Sequence, residues 1–203
     1  MITVDQALAE IFALLHPLNA EIVPLERSAG RVLAHGVAAT ANQPPFASSA
    51  MDGYAVRVDQ ITQGMQFDVI GEAAAGHAYS GTINTSQAVR IFTGAPVPPG
   101  TNAVVIQEDV ARQGDQITVI GTPSGSDFIR PAGSDFKIGD TLAAPRTLSA
   151  GDVALLAAMN VPNVAVHRRP QVALLATGDE LVMPGEIPRD DQIIASNCFG
   201  LAA

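Results

Sequence analysis

The sequence predicts a mixed α+β protein with more than one domain, in which a β region separates two helical segments. Helical periodicity occurs at residues 3–18 and again near 150–160. Between them lie short apolar runs separated by turn residues, and the whole chain holds 18 Gly and 14 Pro. This order indicates a β domain that is inserted into a mixed domain, whose two flanks pack together.

Composition and charge narrow the possible functions. The chain has 203 residues, of which 47% are hydrophobic and 15% charged, as expected for a globular protein with a substantial core. A net charge of −9 without a basic stripe argues against nucleic acid and anionic membranes as partners. No apolar run reaches the length of a membrane span. A single cysteine, Cys198, and the lack of a basic signal-peptide start predict a cytoplasmic protein.

The first helix is predicted over residues 3–18. Thr3 can cap it, Gln6 completes a capping box, and Pro17 closes it. Its apolar side chains share one face: Val4, Leu8, Ile11, Phe12 and Leu15. Short extended segments at 21–25 and 31–37 follow.

The stretch 44–56 combines two prolines, four small residues and an Asp52-Gly53 pair. The prolines exclude a helix or a central strand at its entry. Asp52-Gly53 could be a turn before a strand at 54–58, which is the commoner case for such a pair. It could also line a binding site, because acid-and-glycine stretches recur three more times downstream.

Four further strands are predicted at 67–70, 87–92, 102–107 and 116–120, with Gly-, Pro- and Ser-rich separators. They indicate a compact β-barrel or sandwich from about residue 40 to about residue 128.

The C-terminal part predicts a different architecture. Ser149 and Asp152 mark the start of a short helix that ends at Asn160, and a strand is expected at 164–166. The apolar run 171–176 is typical of a strand that is buried on both faces, and a helix is expected to begin after Ser196-Asn197. Such a pattern opens a doubly wound α/β domain. Because only about thirty residues follow, we expect the chain to be part of something longer.

Three loops carry side chains suited to binding or catalysis. Thr93 heads a rigid loop, where it could bind a ligand oxygen or satisfy a backbone group. Arg130 and Asp135 stand at the ends of another loop, where they could simply form a salt-bridged turn. Asp179 and Glu180 follow the predicted buried strand, where open α/β sheets place their ligands. Acids there suit Mg²⁺, which takes oxygen ligands.

Four motifs, taken together, resemble those of one family. They are Pro-Pro-Phe-x-x-Ser-x-Met-Asp-Gly-Tyr-Ala at 44–55, Arg-Ile-x-Thr-Gly-Ala-Pro-x-Pro at 90–98, Arg-Pro-Ala-Gly-x-Asp at 130–135 and Thr-Gly-Asp-Glu-Leu at 177–181. Each is only suggestive alone, but their occurrence in this order closely resembles the MoeA family of molybdopterin molybdenumtransferases, which is related to the E domain of gephyrin.

The resemblance implies an architecture that matches the one above. An elongated domain would comprise residues 1–39 and 129–168, and an inserted β-barrel-like domain would comprise 40–128. Residues 169–203 would supply the first strand and loop of a MogA-like α/β domain that binds molybdopterin. Most of that domain and a C-terminal β-barrel domain would be missing.

The resemblance also implies a function. It is the Mg²⁺-dependent insertion of molybdate into adenylylated molybdopterin with release of AMP, in a cleft between the subunits of a homodimer. The implied catalytic residues are Asp52, Thr93 and Glu180, and the implied substrate-binding residues are Ser49, Arg130, Asp135, Gly178 and Asp179. Asp179 and Glu180 would hold the metal.

Further partners implied by the family are a MogA-type adenylyltransferase and molybdoenzyme chaperones. The present chain alone is expected to be inactive. The alternative is a non-catalytic dimerising or scaffold module of the gephyrin E-domain type; retained acids at 52 and 180 favour the enzyme.

Overall fold

A computed structural model describes residues 2–121 and 127–203. The chain divides into two compact units, Ala20–Val166 and a second unit formed by Met1–Asn19 with His167–Ala203. The described helices are α1 (Val4–Leu14), α2 (Ala150–Ala158) and α3 (Asn197–Ala202). The strands are β1 (Ala20–Pro24), β2 (Val32–Leu33), β3 (Val37–Ala38), β4 (Ser48–Ser49), β5 (Gly53–Val56), β6 (Gln66–Ala73), β7 (Gln87–Ile91), β8 (Ala103–Ile106), β9 (Val110–Gln113), β10 (Gln116–Val119), β11 (Ile129–Arg130), β12 (Thr141–Leu142), β13 (Arg146–Thr147), β14 (Asn163–His167), β15 (Leu181–Val182) and β16 (Ile193–Ile194).

A six-stranded sheet dominates the unit Ala20–Val166, with the order β8-β5-β7-β6-β10-β9, and it curls into a half-barrel. All its pairs are antiparallel except β6 with β7. Side chains alternate between its faces, so Tyr54 and Val56 of β5 pack in one apolar cluster and Ala55 packs in another. Strand β5 is completely buried between β7 and β8. The sheet therefore fixes the position of Asp52, the residue that immediately precedes β5.

A second, four-stranded sheet of the same unit has the order β1-β14-β2-β13. Leu33, Leu156 and Val166 are fully buried in its core, and α2 contributes Leu156. The helix α2 begins where the sequence predicts, because Ser149 and Asp152 form a reciprocal capping box. The half-barrel therefore occupies the middle of a chain whose two flanks share one sheet, and the mixed α+β prediction is confirmed.

The second unit contains α1, β15, β16 and α3. Helix α1 has the predicted capping box between Thr3 and Gln6, but it ends at Leu14 rather than at 18, since Leu15 is already extended. None of its residues is buried, so its apolar face is exposed. Strands β15 and β16 form a short parallel pair. No helix in the described ranges is long and apolar enough to cross a lipid bilayer.

One predicted strand is absent from the structure, and several short strands of the structure were not predicted. The strand predicted at 171–176 is wrong, because these residues pair with no strand and are exposed. An apolar run forms a buried parallel strand only when other strands flank it and helices cover its faces, and the described part of this unit builds only the β15–β16 pair. Strand β9 was not predicted, because it lies at the sheet edge with three of its four residues exposed, and its residues do not alternate between apolar and polar.

Candidate functional site

Asp52 and Thr93 form a hydrogen-bonded pair at one end of the half-barrel. Asp52 immediately precedes β5 and Thr93 follows β7, and the antiparallel register places Gly53 opposite Ile91. The Oδ1 atom of Asp52 accepts hydrogen bonds from the backbone N–H of Thr93 at 2.7 Å and from its hydroxyl at 2.8 Å. The structure therefore brings together two of the three side chains predicted to be catalytic.

These contacts also set the charge of the pair. The N–H of Thr93 and then its hydroxyl hold the pKa of Asp52 below its usual value, and the positive charge of Arg90 acts in the same direction. Desolvation opposes these effects without cancelling them. Asp52 is consequently an ionised hydrogen-bond acceptor at neutral pH, and it has no proton to donate.

Because Gly53 has no side chain, the backbone next to Asp52 can lie close to strand β8. A Cβ at this position would collide with the carbonyl oxygen of Val105 on β8, so no other residue fits without moving the backbone. The Asp52-Gly53 pair thus leads directly into the buried strand β5, which begins at Gly53 itself rather than after a turn at this pair.

Ser49 connects the segment before Asp52 to the loop that follows Thr93 through hydrogen bonds. Its N–H donates to Ala95 O at 3.0 Å, and its carbonyl accepts from the N–H of Gly94 at 2.8 Å. Gly94 has a φ of +80°, which favours glycine at this turn. The buried hydroxyl of Ser49 donates to Met51 O at 2.6 Å. These contacts give Ser49 a part in shaping the loop before Asp52; its predicted contact with substrate stays a prediction.

Arg130 and Asp135 form an ion pair of 2.7 Å across their loop, and both side chains are about half exposed. Arg130 lies opposite Ser48 in the β4–β11 pair, so this loop adjoins the start of the stretch 44–56. The salt-bridged turn is thus present, and a role of either residue in substrate binding stays a prediction.

Gly178, Asp179 and Glu180 lie in the second unit, in an exposed loop before β15. The carboxylate of Glu180 lies against Gly178, where a side chain would collide with it. The carbonyl of Glu180 accepts from the N–H of Ile193 at 2.7 Å, which ties the loop to β16. The third predicted catalytic residue, Glu180, thus belongs to a different unit from Asp52 and Thr93.

The adjacent carboxylates of Asp179 and Glu180 match, in type and number, the protein ligands that Mg²⁺ commonly takes. Within residues 2–121 and 127–203, no three His, Cys, Asp or Glu side chains converge on one point that could hold a metal. Mg²⁺ is, however, commonly held by one or two carboxylates, with water and substrate phosphates as the other ligands.

A small cavity in the second unit was not predicted from the sequence. Its volume is about 160 Å³. It is lined by Ala176, Leu181, Ile193, Ile194, Ala195, Ser196, Asn197 and Cys198. The only available signal was the turn from an apolar pair to Ser196-Asn197, which was interpreted as the start of a helix.

Sequence reasoning also missed the side-chain contacts of Arg90 and Gln107. Arg90 stands in β7 between the fully buried Val89 and Ile91. A charged residue between two apolar residues of a strand was the signal that could have identified it. Gln107 begins the short 3₁₀ helix Gln107–Asp109 and donates its N–H to Asp52 O at 3.0 Å.

The fold, with an acid–threonine pair at the end of its half-barrel, is that of the MoeA class of proteins. It is similar to the crystal structure of a molybdopterin biosynthesis MoeA protein from Pyrococcus horikoshii OT3, with a TM-score of 0.87 and 32% sequence identity. That similarity covers 99% of this chain and 55% of the other. The family described as MoeA N-terminal region (domain I and II) matches residues 2–160, and the chain belongs to this family.

Two curated relatives carry the name molybdopterin molybdenumtransferase. The protein from a Nostoc species is 39% identical over 191 residues, which cover 91% of this chain and 44% of the relative. The protein from Haemophilus influenzae is 37% identical over 202 residues, which cover 98% of this chain and 50% of the relative. The chain therefore spans about half the length of the curated relatives it matches.

Proposed function

We propose that the natural protein containing this chain acts in molybdenum cofactor biosynthesis, as a transferase that inserts molybdate into adenylylated molybdopterin and releases AMP. The observation that carries the proposal is the preformed Asp52–Thr93 pair in a chain of the MoeA family. The names of the relatives support the same activity.

The role of Asp52 follows from its charge. One carboxylate oxygen is engaged by Thr93, and the other has no hydrogen bond from any described residue. An ionised carboxylate held in this way can accept a hydrogen bond from an attacking oxygen and orient it. The low pKa excludes Asp52 as the proton donor to a leaving group at neutral pH. Thr93 fixes the direction of the carboxylate, so its contribution is one of positioning.

Asp179 and Glu180 would hold a magnesium ion. When bound, the ion supplies Lewis-acid chemistry by neutralising the negative charge of substrate phosphates. Gly178 gives the Glu180 carboxylate room to lie against the backbone, which keeps this carboxylate beside its loop. The two side chains thereby contribute the oxygen ligands that a hard cation requires.

We further propose that the protein works as a homodimer. The apolar face of α1 supports this, because Leu8, Ile11 and Phe12 are 44%, 52% and 65% exposed. Contiguous apolar side chains on a helix are typical of a surface that another chain covers. A monomer at every concentration in sedimentation velocity would contradict the proposal.

The central test is the molybdate-dependent conversion of adenylylated molybdopterin by the full-length protein. We expect Asp52→Ala and Glu180→Ala each to lower kcat on the order of a hundredfold or more, because the first removes the carboxylate that orients the attacking oxygen and the second removes a ligand of the metal. Asp59→Ala, which removes an exposed carboxylate from a bend, is the matched control. Undiminished turnover in both site variants would remove the residue assignment, and an absence of turnover in the wild type would favour the scaffold alternative.

A further inference from the structure

Arg90 occupies an unusual environment for a charged side chain. Its guanidinium carbon lies 5.0 Å from the centre of the Tyr54 ring and 4.8 Å from that of the Phe92 ring. Cation–π contacts of this kind hold the planar guanidinium in one orientation. Arg90 stands directly opposite Tyr54 in the β5–β7 pair, three residues before Thr93. The side chain is therefore anchored beside the site rather than extended into solvent.

The hydrogen bonds of Arg90 lead to the backbone around Asp52. One terminal nitrogen donates to Gly53 O at 3.2 Å, and the other donates to the side-chain oxygen of Gln107 at 2.6 Å. Gln107 in turn donates its backbone N–H to Asp52 O at 3.0 Å. The carbonyls of both Asp52 and Gly53 are thus held by a single Arg90–Gln107 network. The carboxylate of Asp52 itself is engaged by Thr93.

Two carboxylates border the network. Glu108 accepts from the side-chain N–H of Gln107 at 3.2 Å, and Glu72 lies beside Arg90 in the parallel register of β6 and β7. Arg90 therefore has an acidic neighbour in the adjacent strand, yet its hydrogen bonds go to a backbone carbonyl and to a neutral amide. This choice of acceptors suits a side chain that fixes backbone geometry.

We infer that Arg90, acting with Gln107, is a positioning residue that holds the Asp52 backbone so that its carboxylate meets Thr93. The inference rests on the proposed function of the Asp52–Thr93 pair. Arg90 does not need to touch the substrate. A shift of about 1 Å in a reacting group can cost on the order of a hundredfold in rate, so a network that fixes two consecutive carbonyls affects turnover.

The test uses the full-length protein and the variants Arg90→Met, Arg90→Lys and Gln107→Leu. Arg112→Met is the control, because Arg112 lies in the same half-barrel and, among the described residues, its side chain bonds to Gly114 and Asp115 near an edge. The first measurement is amide hydrogen exchange at Thr93, whose N–H donates to Asp52. The second is the separation of kcat from KM, after circular dichroism has confirmed that each variant is folded.

We expect Arg90→Met to speed exchange at Thr93 and to lower kcat on the order of tenfold or more, with a smaller change in KM. Arg90→Lys keeps the charge but not the planar pair of donors, so it should remain impaired in both measurements. Gln107→Leu should have a weaker effect. The double variant should be little worse than Arg90→Met, because both residues belong to one network.

Three results would overturn the inference. They are exchange at Thr93 in Arg90→Met that equals that in Arg112→Met, full restoration by Arg90→Lys, and strictly additive effects in the double variant. The exchange measurement does not depend on activity. If the wild type shows no turnover but Arg90→Met still speeds exchange, the proposed function fails while the positioning role is supported.

Discussion

The Asp52–Thr93 pair and the Asp179–Glu180 loop both present carboxylates next to a short strand, but the two regions are built differently. The carboxylate of Asp52 accepts from Thr93, and its backbone carbonyl accepts from Gln107. Asp52 also directly precedes the buried strand β5, in which Gly53 packs closely against Val105 of β8. Asp179 and Glu180 are exposed, and their side chains make no hydrogen bond or ion pair to any described residue. The comparison indicates that the first region is preorganised by its own sheet, whereas the second is not.

The largest expected effect tests this difference through the metal. In the full-length protein, removal of Mg²⁺ by a chelator should abolish turnover. Asp179→Asn and Glu180→Gln should each raise the Mg²⁺ concentration needed for half-maximal turnover by on the order of tenfold or more, because each removes a charged ligand. Asp52→Asn should lower kcat without changing that concentration. A Mg²⁺ dependence altered by Asp52→Asn alone would reverse the assignment.

The next effect tests how tightly the first region is built. Gly53→Ala should lower the free energy of unfolding by about 1–3 kcal/mol, because its Cβ would collide with the Val105 carbonyl. Gly151→Ala is the matched control in helix α2, where the nearest atom is Ser149 Oγ at 3.7 Å, and it should raise stability by up to about 1 kcal/mol. Urea denaturation measures both. Equal effects would show that β5 is less closely packed than the structure indicates.

The smallest effect concerns pH. The backbone N–H groups of Thr93 and Ser149 hold the pKa values of Asp52 and Asp152 below the ordinary value, which is about 3.9 in an unfolded chain. Each acid therefore contributes stability that is fully present above about pH 5 and is lost as the pH falls through the folded pKa. The melting temperature should fall more gently below about pH 4 in Asp52→Asn and Asp152→Asn than in the wild type. Unchanged slopes would contradict these pKa shifts.

The sequence predicted local features better than the contacts between them. The starts of α1 and α2 follow from capping boxes, which involve residues three positions apart. The hydrogen bond between Asp52 and Thr93 joins residues 41 positions apart, and it depends on the register of β5 with β7. The motifs identified both residues, but only the fold shows that they meet.

The wrong prediction at 171–176 has a related cause. Its apolar pattern is correct for a strand buried on both faces, but a strand forms only when partners are present. Arg90 illustrates the opposite case. Its charge interrupts an apolar strand, and the reason lies in contacts with Gly53 and Gln107, which are 37 and 17 positions away. Pattern reasoning alone contains neither kind of information.

The interleaved strand order of the four-stranded sheet has a consequence for biosynthesis. Strand β2 pairs with β13 and β14, which leave the ribosome roughly a hundred residues later, or on the order of ten seconds at ordinary rates of translation. The complete half-barrel is synthesised within that interval. We therefore expect the half-barrel to fold first on the nascent chain, while residues 20–38 wait unpaired with exposed β-strand edges. Residues 20–38 are therefore the segment that we expect a chaperone to bind during synthesis.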